Sequence, residues 1–180
     1  FFVEFGACDG ILLSNTYLLE KGFSWAGICS EPNPKYYSQL ENNRSCTVDS
    51  ACISGESGKQ ITFILANEYG CISEYSDHDS HKDKREAYKD LGNTINITTI
   101  SLHDFLLKHN SPEVIDYISI DTEGSEYEIL VTFPFEKWDI RLLSIEHNFT
   151  EKRAQIRNLM ISKGYKCKEV MFDDWYIKID

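Results

Sequence analysis

Two short stretches place acids where chemistry could use them: IDYISIDTEGSE, which ends on Asp121 and Glu123, and RLLSIEHN, which ends on Glu146, His147 and Asn148. An Asp at one strand end, with an acid and a carboxamide on the next, is the oxygen-rich set that Mg²⁺ or Mn²⁺ prefers. Asp121, Glu146 and Asn148 are therefore candidate metal ligands, with His147 as a substitute for Asn148. Glu123 or His147 beside them could take the proton of a weak nucleophile such as an alcohol. Asp121, Glu123 and His147 thus form the candidate catalytic set. Each also has a plain structural reading: Asp121 as a helix N-cap, Glu123 as a first-turn acid facing the helix dipole, His147 as a satisfied loop residue. Three such groups at one edge of a sheet favour the chemical reading.

A second constellation lies at the start of the chain, where FVEFGACDG sets Gly6 and Gly10 just after an apolar run holding Glu4. A strand that ends in a glycine turn lets a ligand or a helix approach the backbone. A dinucleotide fingerprint would need glycine at positions 8 and 11, which are Cys8 and Ile11, and the chain has no P-loop motif. The turn therefore suits a ligand with a ribose and no phosphates. Glu31 ends the next apolar run about 20 residues on, where an acid can accept both ribose hydroxyls.

The elements that must position these groups alternate. FVEF, WAGICSE, CTVDSACIS, IDYISID and RLLSIEH read as strands, the last two with the near-continuous hydrophobicity of a sheet buried on both faces. Between them lie helical patterns: NTYLLEKG, closed by Gly22; a segment after EPNP with Tyr36, Tyr37 and Leu40; EGSEYEILVTF; and TEKRAQIRNLMISKG, with Ile156, Leu159 and Met160 on one face and Gly164 as its stop. KCKEVMF and WYIKI close the chain as an antiparallel pair. The expected fold is α/β, a Rossmann-like, doubly wound, mostly parallel seven-stranded sheet with helices on both faces. It forms one domain over 1–180. Polar residues 73–94, flanked by ITFILA and INITTI, read as a mobile flap on a β excursion. Within it, His78-Asp79-Ser80-His81 reads as solvated loop, since nothing rigid orients those side chains.

Composition narrows the function. A net charge of −11 disfavours nucleic acid, which needs a Lys/Arg patch. No run approaches the ~20 apolar residues of a membrane span, and no signal peptide opens the chain. It starts inside a strand, as a domain cut from a longer protein would. The six cysteines include no C-x-x-C pair and are read as reduced, in a cytoplasmic protein, although three N-x-S/T triplets (Asn43, Asn96, Asn148) fit a secretory route.

VEFGACDG, SNTYLLEKG, WAGICSEPNP, IDYISIDTEGSEYEIL and SIEHN together resemble the FkbM family of S-adenosylmethionine-dependent methyltransferases, over Phe2 to about Gly164. The resemblance implies O-methylation of a sugar, glycan or related secondary alcohol. It also implies a cofactor site. Gly6, Ala7, Cys8, Asp9 and Gly10 would hold the methionine part, with Glu4 beneath them, and Ser14, Asn15 and Thr16 would meet its carboxylate. Glu31 and Pro32 would take the ribose, Ala51 and Cys52 the adenine edge, and Asp121 would stand at the sulfonium end. The competing expectation is a binding module of the same fold without turnover.

Overall fold

The computed structural model describes residues 1–77 and 79–179. From the N-terminus, β1 (Phe2–Phe5) leads to α1 (Tyr17–Phe23), β2 (Gly27–Ser30), α2 (Pro34–Asn43) and β3 (Thr47–Asp49). An excursion follows: β4 (Cys52–Ser54), β5 (Gln60–Ile64), β6 (Cys71–Ile72), α3 (Lys82–Asp90) and β7 (Thr94–Ser101). The chain then runs through α4 (Leu102–Lys108), β8 (Val114–Ile115), β9 (Tyr117–Ile120), α5 (Glu126–Thr132), β10 (Asp139–Ile140) and β11 (Leu142–Glu146). It ends with α6 (Lys152–Ser162), β12 (Tyr165–Lys168) and β13 (Asp173–Lys178).

Seven of these strands form one sheet in the order β12-β13-β11-β9-β1-β2-β3. The five from β11 to β3 are mutually parallel, and β13 and β12 close the edge antiparallel. The chain leaves β1 towards β2 and β3, then returns to the other side of β1 for β9 and β11. The strand order therefore reverses between β1 and β9, which opens a crevice at their carboxyl ends.

Strand alternation divides the packing between the two faces. Val3, Phe5, Ile118, Ile120, Leu143 and Ile145 point to one face, under Leu102 and Phe105 of α4, Ile129 and Leu130 of α5, and Ile156 and Met160 of α6. Phe2 and Cys29 point to the other, under Leu40 of α2 and Leu19 of α1. That second face also carries polar groups: Asn15 Nδ2 donates to Ser119 Oγ at 3.0 Å, and Tyr117 OH lies 2.6 Å from Ser144 Oγ.

Local chemistry sets the boundaries. Pro34 starts α2 behind Asn33, whose side chain accepts the Lys35 N–H. Gly164, at φ +86°, follows α6 as expected. Two boundaries differ from the sequence reading. The first helix runs past Gly22 and ends at Ser24, which takes the left-handed conformation (φ 55°). CTVDSACIS is two strands, because Asp49 Oδ1 accepts the Ala51 N–H at 2.9 Å and turns the chain out of the main sheet. The second half, β4, joins a four-stranded sheet ordered β4-β7-β5-β6.

The segment 73–94, expected to form a mobile flap, has ordered packing at several of its residues. It contains α3, whose Arg85 is fully buried, and Tyr75 and Tyr88 pack on apolar clusters of the excursion. Among the described residues no helix is long and apolar enough to cross a membrane.

Candidate active site

At the carboxyl ends of β1, β2, β9 and β11 lies a cavity of about 170 Å³. Gly6, Cys8, Glu31, Asp121, Glu123 and Glu146 form its floor, and Pro32 borders it. Ala51, Cys52, Ile53, Phe63 and Ile72 make an apolar slot on one side. Asn67, Glu68, Tyr69, Gly70 and His81, all from the excursion, make the outer wall.

Why does β1 end in glycine? A Cβ on Gly6, which sits at φ +68°, would stand 1.8 Å from the backbone oxygen of Asp121. The glycine lets the ends of β1 and β9 meet at the reversal point. Gly10 answers to packing instead: a Cβ there would meet Leu40 and Arg44 side-chain atoms at 2.6 and 2.7 Å.

Glu4 points away from the cavity, into the opposite face of the sheet. Its carboxylate accepts Ser14 Oγ (2.8 Å), the Asn15 N–H (2.8 Å) and Thr16 Oγ1 (2.6 Å), and Arg44 Nη1 lies at 3.3 Å. The Arg44 side chain, wholly shielded from solvent, also donates to Glu20 through Nε at 2.6 Å and to the Gly10 carbonyl at 3.2 Å. Asp9 Oδ1 accepts the N–H groups of Ile11 and Leu12. Of the residues expected to hold a cofactor, Gly6, Cys8, Glu31, Pro32, Ala51, Cys52 and Asp121 border the cavity, whereas Glu4, Ala7, Asp9, Gly10, Ser14, Asn15 and Thr16 do not. The side chains of Glu4, Ser14 and Thr16 are spent on pinning the loop from 10 to 16.

Glu31 is buried, yet one edge of it faces the cavity. Its Oε2 accepts the Cys8 N–H at 3.0 Å and its Oε1 the Asn33 N–H at 2.7 Å. Burial, together with the charge of Asp121, pushes its pKa up to about 7 despite these two hydrogen bonds. Burial and the same acids raise the Cys8 thiol, so it stays protonated at neutral pH.

Asp121, Glu123 and Glu146 converge, each with an oxygen within 4.8 Å of the others. Burial raises all three carboxyls, and the charge of Asp121 raises Glu123 and Glu146 further, while the bond to Glu146 holds Asp121 down. Asp121 is not the helix cap. Glu126 Oε1 instead accepts the N–H groups of Thr122 and Gly124, both at 3.0 Å, and leaves Asp121 free to face the cavity. Among the described residues, Asp121 and Glu146 bond to each other and neither meets a Lys or Arg. Glu123, held at φ 57°, instead pairs with Arg85.

His147 and Asn148 fall outside this set. The His147 ring, buried outside the cavity wall, accepts the Phe149 N–H on Nδ1 and sets Nε2 3.6 Å from Asp174 Oδ1. Burial and nearby Arg153 lower its pKa, so it is neutral. Asn148 turns its Nδ2 to Glu123 (3.4 Å) and Asp79 (3.5 Å). The metal-ligand geometry therefore falls on Asp121, Glu123 and Glu146, with Glu123 in the place expected of Asn148.

Sequence reading missed the outer wall and Arg85. In KDKREAYKD nothing separates Arg85 from its solvated neighbours except its neighbours in space. The solvated-loop reading of 78–81 is corrected for two residues: Asp79 forms a two-pronged pair with Arg85, and His81 stacks on Tyr69 with ring centroids 4.1 Å apart. His78 lies outside the described residues.

A search of curated proteins finds no match. Among solved structures, ribosomal protein L11 methylase from Lactobacillus delbrueckii subsp. bulgaricus aligns with 99% of this chain and 70% of its own, at 8% identity and a TM-score of 0.43. Residues 4–167 match the Methyltransferase FkbM domain, and with that match running from the Glu4 of the first strand to β12, the chain belongs to the FkbM methyltransferase family.

Proposed function

We propose that this chain is an S-adenosylmethionine-dependent O-methyltransferase of Rossmann-like, doubly wound architecture, acting on a hydroxyl of a sugar, a glycan or a related secondary alcohol. The observation that carries the reading is the juxtaposition in one cavity of Glu31, an apolar slot and a cation-poor acid pair. Glu31 offers a free carboxylate edge to ribose hydroxyls. Ala51, Cys52, Ile53, Phe63 and Ile72 offer a flat-sided slot suited to adenine. The Gly6–Cys8 backbone borders the space between Glu31 and Asp121.

The bound cofactor supplies an electrophilic methyl on a sulfonium. The chain must hold the acceptor in line with that methyl and remove its proton. Asp121 and Glu146 face the cavity and bond to each other, and among the described residues neither meets a Lys or Arg, so a raised carboxylate of this pair is the group that takes the proton. The three carboxylates also fit a Mg²⁺ or Mn²⁺ ion in donor type and spacing, with Asp121, Glu123 and Glu146 as ligands. Such an ion would acidify the acceptor hydroxyl. His147, outside the wall, is a loop-positioning residue in this scheme.

Isothermal titration tests the cofactor: S-adenosylhomocysteine should bind, whereas NAD and ATP should not, and preferential binding of NAD overturns the reading. Mass spectrometry of candidate glycans with labelled cofactor tests the acceptor. Cofactor binding without label on any hydroxyl acceptor would favour a binding module.

A further inference from the structure

Arg85 stands at the seam between the excursion and the strand-end loops, and the Lys152 ammonium lies 4.5 Å from the Tyr75 ring centroid across the same seam. Arg85, on α3, donates from Nε to the Tyr69 carbonyl at 3.0 Å, and from Nη1 and Nη2 to the two Asp79 oxygens at 2.8 and 2.9 Å. Those partners all belong to the excursion and would travel with it. The remaining strong bond, from Nη2 to Glu123 Oε2, crosses to the loop after β9. Asn148, from the loop after β11, spans the same seam between Glu123 and Asp79. Gly124 completes it: at φ +119°, a Cβ there would stand 3.0 Å from the Tyr75 Cβ, so the excursion seats against bare backbone. Tyr69 and His81, carried by the same excursion, form the outer wall of the cavity.

We infer that Arg85 is a positioning residue that latches the outer part of the excursion, residues 67–91, over the cavity through Glu123, so that ligands enter and leave when this seam parts, while β4, whose Ile53 packs in the main core, stays in place. The charges make the latch reversible. Asp79 stays with Arg85 as the excursion lifts, so the moving body carries a neutral pair, and Glu123 is released towards water rather than stranded in a dry interior. Arginine serves best here. Its planar fork satisfies both Asp79 oxygens and still has an N–H for Glu123, which a lysine ammonium cannot reproduce. The latch rests on the proposed function only for the identity of the ligand.

Hydrogen exchange of the ligand-free protein tests it, with Arg85→Gln, Arg85→Lys, Glu123→Gln and the Arg85→Gln/Glu123→Gln double variant. Glu123→Gln keeps side-chain volume and guards against a variant that fails to fold; because Glu123 also lines the cavity, Arg85→Gln, outside it, separates loss of the seam from a change in the site. Amides in 79–90 should exchange about 10-fold faster in both Gln variants, with no further gain in the double variant and partial rescue by lysine. Amides of β1 and β9 should be unchanged. Stopped-flow release of S-adenosylhomocysteine should accelerate by a similar factor in Arg85→Gln, whose side chain lies outside the cavity lining. Unchanged exchange at 79–90 in Glu123→Gln, additive effects in the double variant, or loss of protection spread over the whole sheet would each overturn the latch. If the unmodified chain binds no S-adenosylhomocysteine, the cofactor reading fails while the exchange data still decide the latch.

Discussion

Glu31 Oε2 accepts the backbone N–H of Cys8 at 3.0 Å, so the acid that ends β2 is built into the turn that ends β1. The same carboxylate holds the Asn33 N–H at the start of α2 and borders the cavity. One side chain thus ties two strand ends to a helix start and presents what remains of its edge to a ligand. A residue with both duties makes separable predictions.

The first concerns pH. The Glu31 carboxyl titrates near 7 in the folded chain against 4.5 as its ordinary value, because burial penalises its charge. Its folded pKa is raised, so the stability it contributes is present below about 4.5 and is lost as pH rises through about 7. Ribose hydroxyls need the ionised form, so ligand binding has the opposite sign. Affinity for S-adenosylhomocysteine should rise by up to roughly tenfold per pH unit below 7 and level off above it. Glu31→Gln should weaken binding at pH 8 and flatten this slope. Calorimetry at pH 6, 7 and 8 gives both numbers, and an equally steep slope in Glu31→Gln would return Glu31 to a purely structural role.

The second concerns Gly6. Alanine there would have to hold φ +68° with its methyl 1.8 Å from the Asp121 carbonyl oxygen, an overlap that only separation of β1 from β9 relieves. Gly6→Ala should cost several kcal/mol, at or beyond the upper end of ordinary point mutations. It should also abolish S-adenosylhomocysteine binding. Urea unfolding measures the first effect, and a variant as stable as the parent would contradict the close approach.

These two residues also show how much was legible in the sequence. Glycine after an apolar run announces a close approach, and an acid at the end of the next strand announces a polar ligand. Periodicity alone located β1, β2, β9, β11, α6 and the closing antiparallel pair. The identity of what approaches Gly6 was not legible, since it is the carbonyl of a residue 115 positions away. Glu4 misled for a related reason. An acid inside a strand looks functional, and only its place opposite Arg44, on the far face of the sheet, shows that it holds the 10–16 loop. Arg85 was hidden most deeply. Its meaning comes from Tyr69, Asp79 and Glu123, which the excursion brings together and which no spacing rule connects.

The third prediction concerns Arg44. Glu4, 4% exposed, and Glu20 both depend on its guanidinium, and the side chain itself is shielded from solvent. Arg44→Met would fill much of the volume and leave buried Glu4 without its counter-charge, whereas Glu20 keeps Lys21 at 2.9 Å. Breaking a buried pair in this way costs about 3–5 kcal/mol. Denaturation at pH 7 should show a loss of that order. A loss below about 1 kcal/mol would mean that water replaces the guanidinium and that the network is a surface feature.

The last prediction separates two ways of activating an acceptor. Asp121, Glu123 and Glu146 crowd three carboxyls into one pocket, and of the three Arg85 pairs with Glu123. The excess charge on Asp121 and Glu146 can be relieved by a shared proton or by a divalent cation. If a proton relieves it, the pair is a general base with a raised pKa. Turnover should then climb with pH as the pair ionises and should ignore EDTA. If a cation relieves it, EDTA should suppress turnover, and Mg²⁺ or Mn²⁺ should restore it. Mn²⁺ should also bind the resting protein measurably, with the signal lost in Asp121→Asn. Either way Asp121→Asn should cut turnover by about 10²–10⁴-fold. It should leave affinity for S-adenosylhomocysteine within a few-fold of the parent, because Glu31 and the apolar slot remain. Full activity in EDTA together with a normal Asp121→Asn rate would remove both schemes and with them the assignment of the acid cluster to catalysis.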